Sequence, residues 1–440
     1  MAKSVSVVIP VLCCQSYAMH SDIPLVQHCV CGRSMLGYVV ETAGHITDMP
    51  VVITAGKCSE SIREQLNGIG TVLELPDEQS SAFTYLHSAA GLCSDSEYLI
   101  LFPGNLPLVT VSTLRDMVEF TDSRRLDAVA LTGNQSMPPD SSNIVFCFRV
   151  KWLSVVLTKY RDKLEAIPMH ALNLWNLPVA EAAAKEIFQP PDPQEAIAVI
   201  DRITLAEAES RMRLRINYEH MRNGVTLIDP AQTYIGPDVR IGQDTVIYPG
   251  NVLEGSTFIG RGCTLYPNNR LHNAWVGERV SMQSSVILES SIGDETTVGP
   301  YAYIRPGSEI GRQVRIGDFV EIKKSVIGHG TKISHLTYIG DAQLGEAINV
   351  GCGVVCVNYD GRRKQKVIIG DHAFIGCNVN LVAPVEVEHH SYIAAGSTIT
   401  ERVPAKALAI ARARQINKEG WVDKRAEQEQ KEQSKTEESK

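Results

Sequence analysis

An isoleucine, leucine or valine returns at every sixth position through long stretches of the second half of this chain, and few folds accept that spacing. Ile235, Ile241, Ile247, Leu253, Ile259, Leu265 and Leu271 form one unbroken series. Ile292, Val298, Ile304, Ile310, Ile316 and Ile322 form a second, and Ile369, Ile375, Leu381, Val387, Ile393 and Ile399 a third. One face of an α-helix repeats at i, i+3, i+4 and i+7, which does not fit, and strict alternation holds only inside each hexapeptide. The spacing predicts a parallel solenoid in which each hexapeptide supplies a short strand and a turn, and three of them close one triangular coil. Each apolar side chain then points inward and stacks on the residue eighteen positions later. The glycine that often follows, as in Ile235-Gly236, Ile241-Gly242 and Ile259-Gly260, suits corners where a Cβ would crowd the turn. The ladder is therefore a core and not a ligand box.

Apolar strands Val7 to Leu12, Val51 to Thr54 and Tyr98 to Phe102, with helical stretches between them, predict an α/β domain with a mostly parallel, doubly covered sheet over residues 1–200. Residues 201–230 read as a linker helix and 231–420 as the coils. The tail from 421 to 440, WVDKRAEQEQKEQSKTEESK, is charged and nearly free of apolar residues, so disorder is expected there after a short arm. A net charge of −8 leaves no broad basic surface for nucleic acid. No run approaches the roughly 20 apolar residues that cross a bilayer, and the N-terminus carries no secretion pattern, so a cytoplasmic protein that contacts neither membrane nor nucleic acid is expected.

The eleven cysteines are an odd, scattered count with no CxxC pair, so no disulfide framework is expected. His28, Cys29 and Cys31 are close in sequence, but buried free thiols are the better reading than a metal site. The densest polar interruption of the ladder is Ser334-His335-Leu336-Thr337-Tyr338-Ile339-Gly340-Asp341, followed by Asn349 to Gly353 and Cys356 to Gly361. Residues Asn358 to Lys366 break the period as a loop projecting from a solenoid corner would, and loops on rigid scaffolds often carry sites.

These stretches, together with YIRPGSEI, GDFVEIKKS, KQKVIIGD, FIGCNVNLVAPV, YIAAGSTIT and LAIARARQINKEGW, resemble the bacterial GlmU family: glucosamine-1-phosphate N-acetyltransferases that are also N-acetylglucosamine-1-phosphate uridyltransferases. The resemblance implies a nucleotidyltransferase-like (Rossmann-like) N-terminal domain followed by a left-handed β-helix, assembled as a homotrimer. It implies that His335 is the general base that deprotonates the sugar amine as it attacks acetyl-CoA. A group of this kind is required because the nitrogen must lose a proton as the amide forms, and imidazole suits the task at neutral pH. Arg305, Lys323 and Lys364 are implied as sugar-phosphate contacts, with Tyr338 and Asn349 placing the hexose. Cys352, Asn358, Tyr359, Cys377, Ala395 and Arg412 fall where the family holds acetyl-CoA, Cys352 and Cys377 replacing an expected alanine and serine. The step needs no metal. A zinc site built from His329, His335 and His372, as on carbonic-anhydrase-like solenoids, is the competing enzyme reading.

The N-terminal half departs from the family. The strand and Gly-rich LxAGxGTRM loop of the family align with the stretch Val8-Ile9-Pro10-Val11-Leu12-Cys13-Cys14-Gln15-Ser16-Tyr17-Ala18-Met19, Leu25 replaces the phosphate lysine, and Asn105 replaces a magnesium-binding aspartate. The Gln-Leu-Gly-Thr loop survives only as Gln79-Ser80-Ser81-Ala82, and a second metal-site asparagine is replaced near Ile200-Asp201. Phosphoryl transfer depends on positioning and charge neutralisation. The expectation is an acetyl-CoA-dependent enzyme making N-acetylglucosamine 1-phosphate, on the way to UDP-N-acetylglucosamine and cell-wall polymers, with a degenerate uridyltransferase domain. Mg²⁺ enters only if uridyl transfer is retained. The alternatives are a fully bifunctional enzyme and a non-catalytic trimeric scaffold.

Overall fold

The computed structural model describes residues 3–11, 18–55, 59–66, 68–75, 81–133, 143–167, 175 and 183–437. The chain divides into two compact units, Met1–Arg279 and Val280–Lys440. Cys13 to Tyr17, Cys58, Gln79 and Ser80 lie outside the described residues.

In the first unit, seven strands form a sheet in the order Thr71–Leu75, Val51–Ala55, Val5–Val11, Tyr98–Leu101, Phe146–Arg149, Ala128–Leu131, Lys185–Phe188. The first four are parallel, and Phe146–Arg149 runs antiparallel to both its neighbours. Alternation sorts the side chains: Val7, Ile9 and Val11 join one core with Leu36, Ile62 and Leu114 from helices on that face, while Val8, Leu99 and Phe148 join another with Tyr85, Leu86 and Leu153. A sheet buried on both faces is what apolar strands separated by helices require. Ser34, Ser81 and Thr110 cap the helices Met35–Gly44, Ala82–Leu92 and Val111–Ser123 by accepting from backbone N–H groups of the first turn, satisfying donors that have no partner inside the helix.

The helix Arg202–Arg222 begins with a reciprocal cap between Asp201 and Thr204. The coils follow from Thr226, and in this unit Ile235, Leu253 and Leu271 pair in register at eighteen-residue intervals.

In the second unit the stacks are equally regular, but the interval changes. Val298, Ile316, Ile333, Val350, Ile375 and Ile393 form one inward column. The step is eighteen residues to Ile316, seventeen to Ile333 and to Val350, and twenty-five to Ile375. The uniform eighteen is therefore corrected here. Within this column two corners shed a residue, the steps from Ile322 to Ile327 and from Ile339 to Leu344, where Lys324 (φ 44°) and Asp341 (φ 49°) adopt left-handed turns. One coil gains the loop between Val357 and Val367, closed by an antiparallel bridge from Tyr359 to Lys364. Ile369 resumes the column above Leu344 as if the loop were absent.

The tail also differs from expectation: Trp421–Glu437 is helical, with no buried residue among those whose burial is described. Ala, Glu, Gln, Lys and Arg are strong helix formers, and Arg425 pairs with Glu429 one turn on, at 3.0 Å. Composition ruled out a core for this segment without ruling out local order.

Candidate functional site

The second unit gathers most of the predicted site residues around two corner columns. The first rises through Asp318, His335, Cys352, Cys377 and Ala395. Asp318 and His335 are partners in register. The ladder continues upward through Lys332 to Asn349 to Phe374 to Tyr392. At the corner itself Gly353 N–H donates to Leu336 O, Asn378 N–H to Cys352 O and Gly396 N–H to Cys377 O, at 3.1, 2.7 and 2.8 Å. Neighbouring coils are about 4.8 Å apart, so His335, expected as the base, and the residues expected at acetyl-CoA occupy successive steps of one edge. Asn349 lies on the strand that leads into this corner. Arg412 passes over its top, its stem 3.8 Å from where a Cβ on Gly396 would sit.

His335 ends the strand Lys332–His335 with its side chain 55% exposed, and its Nδ1 lies 2.5 Å from Asp318 Oδ1. That bond holds the Asp318 carboxyl below its ordinary value, against the opposing effect of desolvation. An ionised carboxylate can only accept, so Nδ1 carries the proton and Nε2 is left with its lone pair for chemistry. Asp318 was missed in the sequence, although the signal was there. It lies seventeen residues before His335, one shortened coil.

The second column, at the next corner, holds Lys323 directly below Gly340, with Arg305 continuing the Tyr303–Ile304 register beneath it. Arg305 pairs with Glu321 at 2.8 Å. The loop returns Lys364 to Lys323, and that contact, ahead of desolvation and of Arg305, lowers the Lys323 ammonium below its ordinary value. Three cations crowded at one corner, with Asp341 the acid that acts on Lys323, are suited to a dianion such as a phosphate monoester.

Tyr338 lies between the columns, on the strand Tyr338–Gly340. Glycine at 340 leaves room for two side-chain ends: a Cβ there would displace the Tyr338 hydroxyl and lie 2.8 Å from Asn358 Nδ2. Asn358 is buried and donates to Asp341 Oδ2 at 2.5 Å. The Tyr359 hydroxyl donates to Gly361 O at 2.7 Å, within its own loop. Asp360 fixes the loop tip by accepting from Arg362 and Arg363 N–H groups, which holds its carboxyl below the ordinary range.

The histidines of the zinc alternative are differently engaged. His329 Nδ1 accepts from Arg312 N–H at 3.0 Å, and His372 stacks on His390 at 4.9 Å. Among the described residues no group of three ligands suits a metal. The described cysteines are free thiols. Cys93, Cys147, Cys263 and Cys356 are buried, but Cys29 is exposed and Cys31 only partly covered, which corrects the expectation of burial there.

The first unit's polar groups at the aligned nucleotide positions are turned inward. Parallel α/β sheets bind ligands at the carboxyl ends of their strands. There the Tyr85 hydroxyl accepts from Val11 N–H at 3.2 Å and donates to Ile53 O at 2.5 Å, fully buried. Asn105, 2% exposed, donates its amide to Asn143 Oδ1 and Val199 O at 3.0 and 2.9 Å. Leu25 packs into a core with Met19, Met35 and Leu108. The Asp201 carboxylate is taken up by the helix cap, which lowers it. A donating amide and a capped carboxylate do not fit Mg²⁺, which prefers anionic oxygen.

No helix among the described residues is long and apolar enough to cross a membrane. The bacterial transferase hexapeptide family (six repeats) matches residues 289–324 and 366–401. Among solved structures, a nucleotidyl transferase from Methanothermobacter thermautotroptrophicus overlaps 48% of this chain and 98% of its own at 14% identity and a TM-score of 0.38, too loose to carry an argument. Bifunctional protein GlmU of Clostridium acetobutylicum is 43% identical over 440 residues, covering 92% of this chain and 96% of that protein. Its counterpart in Clostridium novyi is 44% identical with the same coverage. Likeness of that extent spans both the α/β sheet and the left-handed parallel β-helix, and the chain belongs to the GlmU family.

Proposed function

We propose that the coils of this chain transfer the acetyl group of acetyl-CoA to the amine of glucosamine 1-phosphate. The observation that carries this reading is the Asp318-His335 pair at the foot of a column of small side chains, one corner away from three converging cations. Lys323, Lys364 and Arg305 hold the phosphate, and Tyr338 and Asn349 place the hexose. The thioester then lies along Cys352, Cys377 and Ala395, with Asn358 and Tyr359 beside it and Arg412 at the coenzyme phosphates. The amine nitrogen attacks the thioester carbonyl, the C–N bond forms and the C–S bond breaks. The proton lost by nitrogen passes to His335 Nε2 and from there to the departing CoA thiolate. Asp318 fixes the tautomer and balances the imidazolium that forms in between. A homotrimer, with sites between neighbouring copies, and a cytoplasmic location accompany the reading.

The same reading makes the N-terminal domain a retired uridyltransferase. Supporting it are Asn105, whose amide N–H groups are bonded to the domain's own chain, Tyr85, whose hydroxyl is likewise bonded, and Leu25, which is core. The identity shared with bifunctional relatives favours the second reading, in which UMP transfer from UTP is retained. Two assays on one preparation separate them: thiol release from acetyl-CoA with glucosamine 1-phosphate, and pyrophosphate release from UTP with N-acetylglucosamine 1-phosphate and Mg²⁺. Thiol without pyrophosphate is the expected result. Pyrophosphate release refutes the retirement of the N-terminal domain, and silence in both assays leaves the scaffold reading.

A further inference from the structure

The column proposed to cradle acetyl-CoA also stacks two thiols on adjacent coils. We propose that Cys352 and Cys377 form a dithiol that low-molecular-weight disulfides convert to an intrachain disulfide, and that this disulfide and acetyl-CoA exclude each other. The second clause rests on the proposed function; the first does not.

The pairing follows from register. Val350 faces Ile375, and two residues on, Asn378 N–H donates to Cys352 O at 2.7 Å, so Cys352 and Cys377 are nearest neighbours across the coil step. The coils are closely stacked at this corner, since a Cβ on Gly351 would lie 2.7 Å from Cys377 N. A step of about 4.8 Å falls inside the roughly 4.4–6.8 Å between Cα atoms that a disulfide spans. Cys377 is exposed and Cys352 partly so, whereas nearby Cys356 is buried and its thiol is pushed up to about 12. Reactivity requires thiolate and access, so Cys356 is excluded from the exchange. The remaining steps of the column are His335 below and Ala395 above, which leaves each thiol a single sulfur partner there.

The exchange balances without further reactants. The Cys377 thiolate attacks one sulfur of R–S–S–R, forming a mixed disulfide and expelling R–S⁻. Cys352 gives its proton to His335, one step below, attacks the Cys377 sulfur and expels the second R–S⁻. The two protons lost by the cysteines end on two R–SH. Two electrons have passed from the protein to the small disulfide, and a covalent S–S link now ties together two steps of the edge along which the pantetheine arm lies.

The test uses the full chain, reduced, then incubated with glutathione disulfide, alkylated and digested for peptide mapping by mass spectrometry. Expected is a linked peptide pair joining Cys352 to Cys377, two hydrogens lighter than the separate peptides, with Cys356 unmodified until the protein is denatured. Acetyl transfer falls in step with the linked fraction and returns with dithiothreitol. Cys352→Ala stops at a glutathione adduct on Cys377. Acetyl-CoA at about one hundred times its dissociation constant slows linkage about a hundredfold. Separate adducts on Cys352 and Cys377, or no modification of either while exposed Cys29 reacts, overturn the dithiol. Linkage at an unchanged rate in a protein that binds acetyl-CoA by calorimetry overturns the exclusion. Linkage without any acetyl-CoA binding upholds the dithiol and refutes the functional reading beneath it.

Discussion

The corner column of the coils and the strand ends of the α/β sheet are both places where their folds offer polar groups to a ligand, and they dispose of those groups in opposite ways. At the corner, His335 spends one nitrogen on Asp318 and keeps the other, and Lys323 tolerates Lys364 beside it at a cost in basicity. At the strand ends, Tyr85 bonds to Val11 and Ile53, and Asn105 to Asn143 and Val199. A group held in an uncomfortable state by its neighbours is poised for a ligand. A buried group whose donors are met by its own chain is poised for stability. On the proposed function, the contrast is between a working site and a retired one within a single polypeptide.

The sharpest way to break the contrast is at the base. His335→Ala is expected to lower kcat for acetyl transfer by about 10²–10⁴-fold, the usual worth of a positioned general base, while the thermal midpoint loses no more than the contribution of its pair with Asp318. An unchanged kcat would place the chemistry elsewhere.

On the other side, Asn105→Asp is expected to destabilise the protein by about 2 kcal/mol, because the new carboxylate would face the Val199 carbonyl oxygen with no donor between them, and would meet a donor at Asn143 only once that side-chain amide turns over. Ionisation is the costly state, so the loss in thermal midpoint should grow as pH rises past the ordinary carboxylate range. A stabilised protein that gains uridyl transfer with Mg²⁺ would show instead that a metal site is waiting there.

Asp318→Asn should cost about 10–100-fold in kcat, as removal of an orienting partner commonly does, while the KM for both substrates holds. The hydrogen bond from His335 lowers Asp318. The stability this pair contributes is therefore complete above the ordinary carboxylate pKa of about 3.9 and is lost as pH falls through the lowered value. The variant should lack that acid transition in a melt series.

Lys364→Ala is the mildest test, expected to raise the KM for the sugar phosphate about tenfold with kcat retained. Lys364 is the main cause of the lowered Lys323 value, so the variant should also hold its remaining affinity to higher pH than the wild type.

The coils were legible because a six-residue period admits few alternatives, and the inward ladder is what the period describes. Lys324 and Asp341, where corners shorten, were not legible as such, because a left-handed turn at a non-glycine residue leaves little mark on composition. That shortening also hid Asp318: a reader counting eighteen back from His335 lands on Gly317. In the sheet, Leu25 and Asn105 could be picked out by position as departures from the family's pattern, and the structure puts both inside, Leu25 in a core and Asn105 2% exposed. The use of Tyr85 could not, since an aromatic on a helix facing a sheet looks like any core residue until its hydroxyl is placed. The helical tail was misjudged because lack of a core says nothing about local backbone preference.

The loop between Val357 and Val367 leaves the coil and re-enters it with the ladder intact, Ile369 resting on Leu344. Insertions and deletions there change nothing beneath, whereas a single residue added to the Asp318–His335 strands would rotate every later side chain off its edge. On the proposed function, the grip on the sugar phosphate can therefore be rewritten in the loop without moving the Asp318–His335 pair, so that substrate preference and proton transfer are set by separate parts of one coil.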